Sequence, residues 1–214
     1  MSPKLKKLAV GLVAVVALSL VASSAAPAAQ FTAAKYPTTF EPTGNEGTGV
    51  FETEAGASKC KKIATSATLS EASSTATVNA TFSECSSFGF ATTVIMNGCY
   101  YVMHVSSGSG DNYKGSGDLV CPAGKEVFGK MILSGSTICE IHIPPQVGAV
   151  QIEFIDQTVE KRVEGKVTSS EVHYTVTVDT FPCPFNGLGT HANGKAVQSQ
   201  PALIGGKEKP AVID

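Results

Sequence analysis

Apolar and polar residues alternate along much of the chain. Residues 63–69 and 76–82 do so, and Val172, Tyr174, Val176 and Val178 share one side of a run whose other side carries His173, Thr175, Thr177 and Asp179. A period of two sends one face of an extended segment to a core and the other to water, so these segments predict half-buried strands. Shorter runs of the same kind lie at 49–54, 92–96, 100–105, 127–133, 138–143, 150–155 and 162–167. Turn signals separate them, namely Asn97-Gly98, Pro122-Ala123-Gly124, Ser134-Gly135, Pro144-Pro145 and Asn186-Gly187. No long window keeps a helical apolar period without Gly, Pro or β-branched crowding. About a dozen short strands, at intervals of roughly 8 to 12 residues, predict an all-β antiparallel fold, a β-sandwich or its barrel-like closure. The Gly- and Ser-rich stretch 106–117 reads either as a hairpin tip or as a border between subdomains.

The N-terminal stretch breaks this pattern. Residues 1–7 hold Lys4, Lys6 and Lys7, residues 8–22 are apolar apart from Gly11 and Ser19, and Ala26-Pro27-Ala28 offers the small residues a signal peptidase needs. The apolar run of about 15 residues falls short of the roughly 20 that span a hydrocarbon core. Residues 1–28 therefore read as a signal peptide cleaved after Ala28, and 29–214 as one exported β-domain, secreted or held at the cell envelope, with no transmembrane segment of its own. Pro201, Gly205-Gly206 and Pro210 replace a clean final strand, so 196–214 is expected to pack loosely.

Six cysteines, Cys60, Cys85, Cys99, Cys121, Cys139 and Cys183, all lie after the leader. An even number in an exported chain reads as a disulfide framework. C-x-x-C spacing is absent and no two histidines stand at ligand spacing, so neither a metal nor another cofactor is expected. Six cysteines allow fifteen connectivities, which hairpin symmetry ranks. A bridge between neighbouring strands centres on a turn. Cys60 with Cys85 centres on Ala72-Ser73-Ser74, and Cys99 with Cys121 on Gly110, which leaves Cys139 with Cys183 as a longer closure. A rival set pairs Cys121 with Cys139 and Cys99 with Cys183.

Composition narrows the class of partner. At 43% hydrophobic residues the chain is too apolar for a disordered one. Ser and Thr number about forty against 16% charged residues, which makes for a hydroxyl-rich surface. The formal charge of −2 becomes −5 once the three leader lysines are removed, which argues against nucleic acid as a partner.

Several segments carry a resemblance. Cys60, the stretch from Cys85-Ser86-Ser87-Phe88-Gly89-Phe90 into Met96-Asn97-Gly98-Cys99-Tyr100-Tyr101, Val120-Cys121-Pro122-Ala123-Gly124, Cys139-Glu140-Ile141 with Pro145-Gln146, and Val172-His173-Tyr174-Thr175-Val176 resemble a family of uncharacterised secreted, disulfide-containing β-rich proteins of actinobacteria. The resemblance spans roughly residues 31–194 and fades after Ala196. Its motifs are cysteines, turns and strand starts, so it implies a compartment and a fold but no activity.

Residues with chemical potential have plainer readings beside them. His104, His142 and His173 each oppose apolar neighbours on their own strand and are expected to face solvent, too far apart to share an acid/base or metal site, while His191 lies outside such a run. The G-x-S-x-G and H-E-x-x-H signatures are missing, so no catalytic residue is assigned. Glu153, Asp156, Glu160 and Glu164 interleave with Lys161, Arg162 and Lys166 as in a solvated strand-turn-strand. Asp111, Asn112 and Asp118 lack calcium-loop spacing. Asn79-Ala80-Thr81 is a chance glycosylation sequon in a chain of bacterial character. Ile143-Pro144-Pro145-Gln146 could present an inhibitory loop, though an edge turn explains its prolines equally well.

The expected function is a non-catalytic binding or structural module that meets a glycan or an envelope protein. Tyr100, Tyr101 and Tyr113 are the candidate contacts, since an amphipathic ring suits an interface; core packing of at least one of them is the plainer reading. The alternative is an extracellular hydrolase with a dispersed acid/base site around the histidines.

Overall fold

The computed structural model describes residues 28–40, 47–185, 187–198, 202–205 and 211–213. The leader reading at 1–27 lies outside the described residues.

The chain starts with β1 (Phe31–Ala33), β2 (Thr38–Phe40), β3 (Gly47–Thr53), β4 (Gly56–Leu69) and β5 (Thr75–Ser87). It continues through β6 (Phe90–Ile95), β7 (Tyr100–Ser109), β8 (Asn112–Val120), β9 (Val127–Leu133), β10 (Ser136–Ile143) and β11 (Gln146–Gln157). The remaining strands are β12 (Arg162–Ser170), β13 (Val172–Asp179), β14 (Gly189–Gln198), β15 (Ala202–Gly205) and β16 (Ala211–Ile213). The described residues contain no helix, as the period-two pattern predicts.

Eight antiparallel strands close into a barrel in the order β3-β4-β5-β6-β9-β10-β13-β14, with β14 returning to β3. The barrel form of the expectation holds, in place of two facing sheets. Closure follows from the two longest strands, because β4 pairs with β3 along Gly56, Lys59 and Ile63 and with β5 on its other side. The same two strands then run out of the barrel. Ala67, Thr68 and Leu69 of β4 pair with β2, while Thr75, Ala76, Thr77 and Val78 of β5 pair with β7. Beyond β7 the sheet continues as β8-β11-β12-β15. One hairpin is thus shared by two bodies, a closed barrel and an outer sheet.

The shared hairpin changes face where it passes between them. Cys60 and Ile63 are both buried although an odd number of positions apart, and so are Ala80 and Cys85 on β5. The register stays intact, with Cys60 opposite Cys85 and Ile63 opposite Phe82, so both strands change face together. Glu84 sits in the bend with φ 51°, and its carboxylate meets Lys62 Nζ at 3.0 Å on the outside.

The outer sheet has a filled core of Phe31, Phe40, Leu69, Val78, Ile152, Phe154, Val163 and Ile213, all at most 3% exposed. Phe31 meets Phe154 edge to face, ring centroids 5.3 Å apart, a favoured arrangement for the ring quadrupoles. The ribbon β1–β16 supplies Phe31 and Ile213 from opposite ends of the described chain. The C-terminal segments expected to pack loosely are paired where they are described: β15 lies along β12 and β16 along β1, with Ile213 3% exposed. The stretch 106–117 falls in the β7–β8 hairpin.

Three disulfides staple the fold. Cys60–Cys85 crosses β4 and β5, Cys99–Cys121 joins the ends of β7 and β8, and Cys139–Cys183 ties β10 to the segment after β13. These are the pairs the turn midpoints rank first, and no cysteine is free. Such a framework fits an oxidising compartment. Among the described residues no helix is long and apolar enough to cross a membrane.

Candidate ligand-binding cavity

An eight-stranded barrel has room inside either for packed side chains or for one small ligand. Which applies depends on the size of the inward residues, and here many are small. Gly49, Ser58, Cys60, Ala80, Thr92 and Gly129 face the lumen alongside Ile63, Phe82, Val94, Ile141 and Ile143. A β-carbon on Gly129 would stand 2.9 Å from the Ile141 side chain, so this wall position is held to glycine by close approach. The space left unfilled is about 180 Å³ and extends from the barrel under the outer sheet, where Tyr101, Met103, Val150, Ile152 and Val167 complete its wall. Several of these apolar side chains stay only half-buried although they point inward, because the lumen and not protein lies next to them.

Among the described residues no Lys, Arg, His, Asp or Glu lines the cavity; its polar side chains are Ser58, Thr65, Thr92 and Tyr101. A second chamber of about 30 Å³ lies toward the end of the barrel where the β3–β4, β5–β6, β9–β10 and β13–β14 connections meet. Ser58, Thr92, Gly129 and Ile141 border both chambers. Hydroxyls bridge the boundary: Thr92 Oγ1 donates to Ser87 Oγ at 2.8 Å, and the Ser87 and Ser58 hydroxyls are hydrogen-bonded at 2.5 Å.

Phe88 closes this end. It occupies the first position of a two-residue turn with Gly89, at φ 53° and 83°, the type I′ geometry that suits a hairpin twist. A left-handed conformation costs a side-chain-bearing residue roughly 1–2 kcal/mol. What the position provides is placement, since the Phe88 ring lies where a β-carbon on Gly56 would be, 2.5 Å away, and only glycine fits beneath it.

Among the described residues Tyr101 is the one ionisable side chain on the cavity wall, since Cys60 is held in a disulfide. Burial pushes its hydroxyl up to about 12, so it is neutral throughout the working pH range. Tyr101 is half-buried and lines the cavity. The hydroxyl has no hydrogen-bond partner among the described residues. Buried tyrosine hydroxyls ordinarily find one.

The three tyrosines chosen from sequence do not form one face. Tyr100 and Tyr101 are consecutive on β7 and point to opposite sides. Tyr113 lies on β8 opposite Gly108, roughly 20 Å along the strands from Tyr101 at about 3.3 Å per residue. Its hydroxyl donates to the Ile213 carbonyl at 3.2 Å, a structural bond to the C-terminal ribbon.

His104, His142 and His191 each have carboxylate partners of their own. His104 Nε2 is 2.8 Å from Asp118 on the outer sheet. His142 lies between Glu126 and Glu140, at 3.0 and 2.7 Å, against the Phe128 ring. His191 pairs with Glu54 at 2.8 Å and stacks on Tyr174, whose hydroxyl burial raises above its usual range with help from the Glu54 charge. His173 is exposed on β13. The expectation of a solvent-facing ring is corrected for His142, which is half-buried because two carboxylates and the Phe128 ring flank it. His191, to which that expectation did not extend, is half-buried between Glu54 and Tyr174.

Two carboxylates are held in ionised form. The Gly148 N–H chiefly holds Asp118 below the ordinary carboxylate range; burial works in the other direction, and the His104 contact adds to the lowering. Burial would raise Glu140, but bonds from His142 and Lys130 more than reverse it.

The acidic and basic residues of β11 and β12 form the expected strand-turn-strand, with Glu153 opposite Lys166 and Arg162 bonded to Glu164 at 2.9 Å. Asp156 departs from that reading. It is 6% exposed and accepts from the Ile213 N–H at 3.3 Å, which anchors β16. The Pro144-Pro145-Gln146 segment is not a free loop, because the Gln146 amide bonds both the N–H and the carbonyl of His173 at 2.8 Å. Among the described residues no group of three or more His, Cys, Asp or Glu could hold a metal ion.

No protein-family model, curated protein or solved structure matches the chain. The functional reading therefore rests on the cavity. Sequence reasoning did not find it, and the available signal was the set of small residues at inward strand positions.

Proposed function

We propose that the chain is an exported, non-catalytic binding module that holds one small apolar molecule in its barrel. The cavity carries this reading: about 180 Å³ of space, walled by aliphatic and aromatic side chains and, among the described residues, without a charged group. Apolar cavities of about 150 Å³ stay dry and accept a guest the size of benzene. A body of one aromatic ring or a chain of six to eight carbons is the corresponding scale. The leader and the disulfide framework support export, and the resemblance to secreted actinobacterial proteins points the same way. The separate histidine–carboxylate pairs support a non-catalytic role, since a general base must reach both the proton it takes and a nucleophile.

Titration calorimetry of the mature protein with toluene and a thermal melt at saturating toluene test the reading. Guest at about one hundred times its Kd stabilises the fold by about 2.7 kcal/mol, and binding carries a negative heat-capacity change. Absence of both signals sinks the lumen as a binding site.

A further inference from the structure

We infer that the guest is neutral and carries one hydrogen-bonding oxygen, which the Tyr101 hydroxyl holds. This deepens the lumen reading and rests on it. Tyr101 lines the cavity, and its hydroxyl has no hydrogen-bond partner among the described residues. A buried hydroxyl left unpaired is costly, so a guest that supplies an alcohol, phenol or carbonyl oxygen gains a bond that no protein group already satisfies. Ser58, Ser87 and Thr92 add capacity of the same neutral kind. Their three hydroxyl protons make two bonds among themselves, which leaves one proton to donate.

Charge on the guest is excluded by the same wall. Among the described residues, neither a cation nor an anion lines the lumen or the smaller chamber. A carboxylate entering there loses its hydration with nothing to pair it, as would an ammonium. The ligand class is therefore a small hydrocarbon body with a single neutral oxygen function, not a free acid, an amine or a sugar, whose many hydroxyls would exceed the few partners present.

Toluene, benzyl alcohol and benzoate form a series of nearly constant shape that isolates these effects, with the mature protein and its Tyr101→Phe variant compared by calorimetry. Benzyl alcohol is expected to bind the variant about five-fold more weakly than the wild type, a fold-change in keeping with one net hydrogen bond. Toluene should bind both equally. Benzoate at neutral pH should bind at least about one hundred-fold more weakly than benzyl alcohol, with binding recovered as pH falls through its carboxyl pKa of about 4. A wild-type readout stands beside the variant: in protein labelled at the tyrosine ring carbon that bears the hydroxyl, benzyl alcohol should shift the Tyr101 resonance and toluene should shift it less. Equal affinity of both proteins for benzyl alcohol, an unmoved resonance, or tight benzoate binding at neutral pH overturns the inference while toluene binding stands. Failure of toluene itself to bind overturns the lumen reading and this inference together.

Discussion

The two bodies joined by the β4–β5 hairpin are built from the same alternating strands, yet the outer sheet carries a packed core under its ribbon while the barrel is hollow, its space running on beneath Tyr101, Met103, Val150 and Ile152. In the outer sheet the inward positions hold Phe31, Phe40, Leu69 and Phe154, and a two-stranded ribbon covers them. In the barrel the corresponding positions include Gly49, Ser58, Ala80, Thr92 and Gly129, with the Cys60–Cys85 bridge on the wall. Strand pattern alone does not decide whether a β-fold is solid. The volume of the inward residues does, and a filled half can hold in shape a neighbour that leaves space inside.

Four changes break or sharpen that contrast. The largest effect is expected on the filled side. Phe31→Ala removes a fully buried ring packed on Phe154 and should cost about 3–5 kcal/mol, read from the denaturation midpoint in urea. Next comes the staple on the hollow side. Replacing Cys60 and Cys85 together by Ala opens a closure of 25 residues. It should cost about 2–4 kcal/mol, with a matching loss of guest affinity if the wall loses its shape.

Acid should then weaken both bodies through one carboxylate in each, Asp118 on β8 and Glu140 on β10. Both are held below their ordinary values of 3.8 and 4.5, so their contribution is fully present above those values and is lost as pH falls through the lower folded values. Asp118→Asn and Glu140→Gln should each flatten the acid limb of a stability profile and leave its slope near pH 7 unchanged. A limb of undiminished steepness in either variant would contradict the assignment.

The smallest change in stability is expected where there is space to fill. Val94→Leu adds a methylene into the lumen and should alter stability by less than about 1 kcal/mol, whereas the same enlargement in a packed core typically costs 1–3 kcal/mol. Its visible consequence should be weaker toluene binding, measured by calorimetry.

The strands were legible because burial on one face imposes a period of two, and nearly every run that shows it is paired in the fold. The closure was not. Residues 63–69 and 76–82 read as short strands because the alternation fails at Lys61-Lys62 and Ser83-Glu84, which is where the hairpin changes face and passes from one body to the other. Without that passage in view, two sheets were as good an account as a barrel. Tyr101 shares its parity with Met103 and Val105, which marks the core side, so its inward direction was readable; that it would face empty space depended on residues from nine other strands. The buried Asp156 was illegible for a related reason, since its partner Ile213 comes from a strand 57 residues away.

Xenon under pressure, located by crystallography, tests the central claim most directly, because it reports on empty apolar space without any assumption about the natural guest. The account predicts a xenon atom in the lumen between Ile63, Val94, Tyr101 and Ile141, and none in the core around Phe31 and Leu69. Ordered water filling the lumen, or side chains collapsed into it with no xenon bound, would contradict it.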